Sequence, residues 1–345
     1  MVASAASDAP RAPRPMGIDM TVNDADGRPV SGLSAADFSL YDNGQAAPIV
    51  AFREMGKREA AGGDKQDPPT EILLVIDTIN EPISSYPYIR DEVETFLKRD
   101  GGRLSQPMSI YLLNGKEADK IADRSDDGNA LAATLQNADL GKRPIRHSSS
   151  LVLPRAQQSL AALGELAVQE ATKPGRKIMV WIGPGWNTTG IDDDFMLDQQ
   201  RNRDMAPLFE TRQAMYNGIV ALSTGLRQAR IQLYCVKPDQ GGGFSTIGWD
   251  RYKEHLKPVT DPKQAGTGDL SLQLIAVQSG GDAVASSSEF LSGVIAKTIA
   301  AAQADYFVTF ETSPAASPNE YHSLKITANK PGLVVRTRAG YYNQP

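Results

Sequence analysis

Between residues 71 and 303, apolar runs of strand length alternate with longer segments whose apolar residues recur every three or four positions. This alternation constrains the fold more than any other feature. Chains that alternate strand and helix build a mostly parallel sheet with helices on both faces. "EILLVID" (71–77) is almost continuously apolar, as suits a strand covered on both sides. "YPYIRDEVETFLKR" puts Ile89, Val93, Phe96 and Leu97 on one helical face. "MSIYLLN", "RKIMVWIG" and "IQLYCVK" read as further strands, and "EADKIADR" as a short edge strand. "NALAATLQNA", "SLVLPRAQQSLAALGELAVQEA" and "APLFETRQAMYNGIVALSTGLRQA" read as helices. "LSLQLIAVQSGG" is a helix ended by glycine, and "SSSEFLSGVIAKTIAAA" a helix opening on serines suited to N-caps.

The flanks follow another rule. In 16–55, "GIDMTVND", "FSLYDNG" and "PIVAFREM" alternate with period two and are punctuated by Asp26-Gly27 and Asn43-Gly44. In 304–345, "ADYFVTFET", "YHSLKITAN" and "GLVVRTRAGYY" do the same. Each flank is too small to bury a sheet face alone. The expectation is one β-sandwich built from 16–55 and 304–345, with a doubly wound, mostly parallel α/β unit (71–303) inserted between them. "GKREAAGGDKQDPP" falls in a linker at 56–70. Residues 1–15, rich in Ala, Pro and Ser, read as a disordered leader of the kind left after an export signal.

The formal net charge of −5 argues against nucleic acid or an anionic membrane as partner. Lys142, Arg143, Arg146 and His147 form one small basic group, read as a solvated loop. No apolar run reaches the roughly 18 residues of a membrane span. The lone Cys235 has no disulfide partner, and its apolar neighbours predict a buried thiol.

In an open α/β sheet, ligands bind outside the carboxyl ends of the strands. Asp77 ends the first such strand, which makes that rim the candidate site. The strand with its Asp77-x-x-Asn80 ending, "RKIMVWIGPGW", and the flanks "VNDADGRPVSGLSAADFSLYDNG" and "KPGLVVRTRAGYY" resemble the von Willebrand factor type A-related proteins of acidobacteria. The resemblance spans about residues 16–343. It implies a type A, Rossmann-like fold for the inserted unit and an export signal in the full-length protein. It also implies binding rather than turnover.

Type A domains often carry a metal-ion-dependent adhesion site: Asp-x-Ser-x-Ser after the first strand, a Thr from a second loop, an Asp after a later strand. Mg²⁺ takes octahedral oxygen ligands, and hydroxyls supply them without adding charge. Here Asp77 matches the first position, but Ile79 and Glu81 replace the two serines. The Thr loop corresponds to "RHSSSL", where Ser148, Ser149 or Ser150 offers a hydroxyl. Gly183 and Pro184 stand where the last Asp belongs, and the nearest acids are Asp192, Asp193 and Asp194. One reading is therefore a degenerate cation site on Asp77, Glu81 and Ser149. The other has Asp77 accepting backbone N–H groups and holding the strand ends in register. No cofactor is expected, and Mg²⁺ or Ca²⁺ would bind weakly at best.

His147, His255 and His322 are dispersed, with no helical partner spacing for zinc or catalysis. No Gly-x-Ser-x-Gly elbow occurs. Trp186, on the loop after "KIMVWI", is either an exposed anchor for a partner or a cover for the sheet. Asn80, Ser148, Trp186 and Asp192–Asp194 make up the expected binding surface, on loops 78–86, 141–150, 183–206 and 237–268. Segments 187–206 and 240–268 exceed ordinary connection lengths and are expected to be the most mobile. Two function classes follow. The first is a secreted or periplasmic, non-enzymatic module that docks another protein or a surface polymer. The second is a hydrolase or other enzyme using the strand-end cleft.

Overall fold

The computed structural model describes residues 13–55, 68–114, 117–140, 152–186, 206–238, 249–286, 289–303 and 305–343. Its centre is a six-stranded sheet. The strands are β5 (Glu71–Asp77), β6 (Arg103–Leu113), β7 (Ala118–Asp127), β8 (Lys177–Ile182), β9 (Ile231–Lys237) and β10 (Asp282–Ala285). They lie in the order β10-β9-β8-β5-β6-β7, parallel except for β7, which runs antiparallel to β6. This is the doubly wound order, whose direction of winding reverses between the first strand and the fourth. The reversal falls between β5 and β8. β7 is an edge strand, and its sequence "ADKIADRSDD" is heavily charged, which blunts edge-to-edge pairing.

Among the described residues, six helices cover the sheet: α1 (Tyr86–Leu97), α2 (Gly128–Asn137), α3 (Val152–Ala171), α4 (Ala206–Gln228), α5 (Leu272–Gln278) and α6 (Leu291–Ala301). The near-continuous apolar run of β5 is explained by two cores. Ile72, Leu74 and Ile76 pack with α1, α2 and α6. Leu73 and Val75 face the other way, with Met179, Trp181 and residues of α3, α4 and α5. Ile89, Val93, Phe96 and Leu97 are buried along α1, as their spacing predicts.

The flanks form two four-stranded antiparallel sheets, from β1 (Pro15–Asn23), β2 (Phe38–Asp42), β3 (Gln45–Ala46), β4 (Ile49–Glu54), β11 (Asp305–Glu311), β12 (Tyr321–Ala328), β13 (Val334–Thr337) and β14 (Gly340–Tyr342). The orders are β13-β1-β11-β4 and β14-β12-β2-β3, so each sheet mixes strands from both ends of the chain. One apolar cluster fills the space between them, with Met20, Val22 and Phe310 from one sheet against Leu40, Leu324 and Ile326 from the other.

Three details depart from expectation. "GLVVRTRAGYY" is two strands, β13 and β14, which enter different sheets. β10 has only four residues, too few for a legible pattern. α6 starts at Leu291 with Phe290 at its N-cap and no side-chain cap; Ser286 instead continues the β10 ladder by donating its N–H to the Lys237 carbonyl. Glu92 of α1 accepts the Ser292 N–H at 2.9 Å and takes the place of a serine cap.

Candidate functional site

The switch point lies at the carboxyl ends of β5 and β8, and Asp77 occupies it, fully buried. Its carboxylate is saturated. Oδ1 accepts the backbone N–H groups of Ile79 (3.0 Å) and Asn80 (2.9 Å). Oδ2 accepts the Asn80 side-chain amide (2.7 Å) and the Trp181 indole N–H (3.1 Å). A carboxylate offers about four lone-pair sites, and four donors fill them. Burial raises the Asp77 pKa, while these hydrogen bonds oppose the rise. Close approach is built in from β8: a Cβ on Gly183 would sit 2.8 Å from the Asp77 Cβ. The adjoining turn is tied down as well. Thr78 donates its hydroxyl to the Leu113 carbonyl (2.7 Å), and Tyr86 donates to the Thr78 carbonyl (2.5 Å).

Glu81 is also buried, 5% exposed, beside this carboxylate. Burial first and the Asp77 charge second push its pKa up to about 7, against a hydrogen bond from Ser85 and the charge of Lys237. The Lys237 ammonium, at the end of β9, lies 5.6 Å from the centre of the Trp249 ring. The rim thus gathers two carboxylates and a lysine, with aromatic rings beneath them.

Two expected surface residues face inward. Trp186 is 2% exposed, packs edge-on against Trp181 at 5.6 Å between ring centres, and donates its indole N–H to the Leu270 carbonyl at 2.7 Å. It is not an exposed anchor. Gly185 at φ +65° turns the chain so that the ring folds back over the sheet, where its large apolar area is best buried. Asn80 is half-buried, and its amide is spent on Asp77 and on the Ser159 hydroxyl (3.0 Å). It links the β5 turn to α3 rather than presenting a polar group outward. Ser148, Ser149, Asp192, Asp193 and Asp194 lie outside the described residues, as does the basic group at 142–147. So do 187–205 and 239–248. Residues 249–268, part of the long segment expected to be mobile, carry short 3₁₀ helices and bury Trp249, Tyr252, Val259 and Ala265.

Among the described residues, no group of three or more His, Cys, Asp or Glu side chains is placed to hold a metal ion. Octahedral coordination requires free oxygen lone pairs. With Asp77 saturated and Ile79 apolar, the described residues do not fit Mg²⁺.

No family model matches the chain, and no curated protein matches it. It is similar in structure to BatB, a conserved hypothetical protein from Bacteroides thetaiotaomicron, at 11% identity and TM-score 0.36, over 68% of this chain and 98% of that one. Proximal thread matrix protein 1 from the mussel byssus is similar at 10% identity and TM-score 0.36, over 69% of this chain and 49% of that one. A human COPII-coat protein is similar at 9% identity and TM-score 0.33, over 80% and 44%.

A second polar cluster escaped the sequence reading. Asp42, His322 and Tyr341 are buried inside the sandwich. Asp42 Oδ1 lies 2.9 Å from His322 Nδ1; Oδ2 accepts the Tyr341 hydroxyl (2.9 Å) and the Ser313 N–H (2.6 Å). The only available signal was polar residues at inward positions of alternating strands. Their partnership spans 280 residues and is invisible to local pattern.

Proposed function

We propose that the chain is a non-enzymatic binding module of type A-like architecture, secreted or periplasmic, that docks another protein or a surface polymer. In this reading the adhesion site that type A relatives use is degenerate, and no ion is required for docking.

The observation that carries the reading is a groove between α3 and α4. It has a volume of about 640 Å³ and is lined by Leu160, Ala161, Gly164, Val168, Gly218 and Ala221 among others, with Glu165 as the one titratable residue among the described lining residues. An active site concentrates titratable groups in a concave polar pocket. An open apolar face is what a partner covers. The inward saturation of Asp77 supports the same reading, because a carboxylate with four protein donors has no lone pair to offer a substrate.

The test places a photo-cross-linking residue at Val168, 69% exposed in the groove, and as control at Val50, 51% exposed on the sandwich. Extracts are prepared with and without EDTA. The expected result is one discrete adduct from position 168, none from position 50, and no effect of EDTA. An adduct lost on chelation would reject the ion-free site, and the same products from both positions would reject the groove.

A further inference from the structure

Where the sandwich meets the α/β layer, three arginines converge on one small cavity. Arg227, Arg230 and Arg338 line it together with Asp19, Gln232 and Ser279. Its volume is about 20 Å³. A cavity needs roughly 10–15 Å³ to hold one water, so this one takes a single particle of that size class.

The charges around it do not cancel. Arg230 is paired with Asp19, at 2.6 and 3.1 Å. Arg338 is 7% exposed and donates only to neutral acceptors, the carbonyls of Gly340 (3.0 Å) and Ser223 (3.2 Å). Among the described residues, neither Arg227 nor Arg338 has a carboxylate within ion-pair distance. Burial first and the neighbouring Arg227 charge second depress the Arg338 pKa to about 9, against the smaller opposing pull of Tyr321 and of Asp19, whose carboxylate is already paired with Arg230. Buried charge without a counter-charge is costly, and proteins compensate it.

A second observation points to the same place. Gln232 is 3% exposed. Its Oε1 accepts a hydrogen bond from the Arg176 guanidinium, while its Nε2 has no partner among the described residues. Gln232 and Arg338 line the same cavity, and the amide nitrogen lies where Gly280 lets the chain pass, since a Cβ there would sit 3.1 Å from it. Buried donors in native proteins find an acceptor. Water would satisfy the amide but leave the guanidinium charge; a small anion satisfies both.

We propose that this cavity binds a halide-sized monovalent anion, and that the ion clamps the sandwich onto the α/β layer. The full chain is melted in sodium chloride, sodium bromide and sodium gluconate at equal ionic strength; gluconate is too large to enter. The melting temperature is expected to rise saturably with chloride and bromide but not with gluconate. Arg338→Gln abolishes the halide response, and Arg28→Gln, at an exposed turn, keeps it. Should Arg338→Gln fail to fold, Gln232→Leu is expected to weaken the response, and crystals soaked in bromide give an anomalous peak in the cavity. Equal melting curves in halide and gluconate, or bromide peaks only elsewhere, would overturn the proposal.

Discussion

The indole N–H of Trp181 on β8 donates to Oδ2 of Asp77 on β5, 3.1 Å away at the switch point of the sheet. This bond couples the two strands on either side of the reversal and makes the buried aspartate a structural keystone. Asp77→Ala would leave the Ile79, Asn80 and Trp181 N–H groups without their acceptor, at about 1–3 kcal/mol for each that stays dry. We expect Asp77→Ala to lower unfolding free energy by about 3 kcal/mol or more, and Trp181→Phe by about 1 kcal/mol, in urea titrations. Their combination should cost less than the sum, because they share a bond. Added Mg²⁺ should change none of these values; a stabilisation of the parent chain that Asp77→Ala removes would contradict this account.

Glu81 makes stability depend on pH in an unusual direction. Its folded pKa is raised to about 7, above that of an ordinary carboxyl group. The folded state therefore holds the proton more tightly than the unfolded chain does. The Glu81 contribution is most favourable below the ordinary carboxyl pKa, declines as pH rises toward 7, and is a full penalty above it. Glu81→Gln removes the titrating group. The variant should show a flatter profile between about pH 4.5 and 7 and be more stable than the parent at pH 8, by about 2 kcal/mol. Chemical denaturation across this range decides it, and a parent profile that rises from pH 5 to pH 7 at this site would be the wrong sign.

Much of this fold was legible in the sequence. The β5 run, the α1 face and the charged β7 edge follow from periodicity, because burial on one or both faces writes itself into spacing. The site was less legible. Asp77 could be placed at a strand end, yet whether it faces an ion or four protein donors depends on Trp181, 104 residues away. Trp186 suits a surface or a core equally in sequence, since an indole serves either, and its inward place rests on Leu270 and Trp181, which are distant or alternate-facing partners that local pattern does not name. β10 was missed because four residues make no pattern.

The Asp42–His322–Tyr341 cluster should behave as one unit. Burial pushes Asp42 up, but hydrogen bonds from His322, the Ser313 N–H and Tyr341 outweigh it and hold the carboxyl below its usual range. That lowered pKa contributes stability that is present above the unfolded carboxyl pKa and lost as pH falls through the folded value. Asp42→Ala strands three partners in a dry core and should cost about 3 kcal/mol or more. Tyr341→Phe removes one hydroxyl and should cost about 1 kcal/mol. A thermal or urea series on the three single variants and their pairs should show strong non-additivity.

The glycines separate folding from binding. Gly183 is needed for close approach, since a methyl group there would meet the Asp77 side chain at 2.8 Å; Gly183→Ala should destabilise by about 1–3 kcal/mol. Gly164 and Gly218 lie inside α3 and α4, where a Cβ would touch nothing within 4 Å. Glycine in a helix interior costs about 0.5–1 kcal/mol relative to alanine, and here no packing among the described residues repays it. Both line the apolar groove, and on the proposed reading a partner's approach is the reason for their small size. Gly164→Ala and Gly218→Ala should each raise stability by that amount. If an occupant fits the groove closely, each added methyl overpacks the contact by about 1–3 kcal/mol, roughly a tenfold or greater loss of affinity at the middle of that range. Melting temperature and adduct yield from position 168 should therefore move in opposite directions; a pair of variants that gain stability and keep full capture would show that the groove is not where the partner sits.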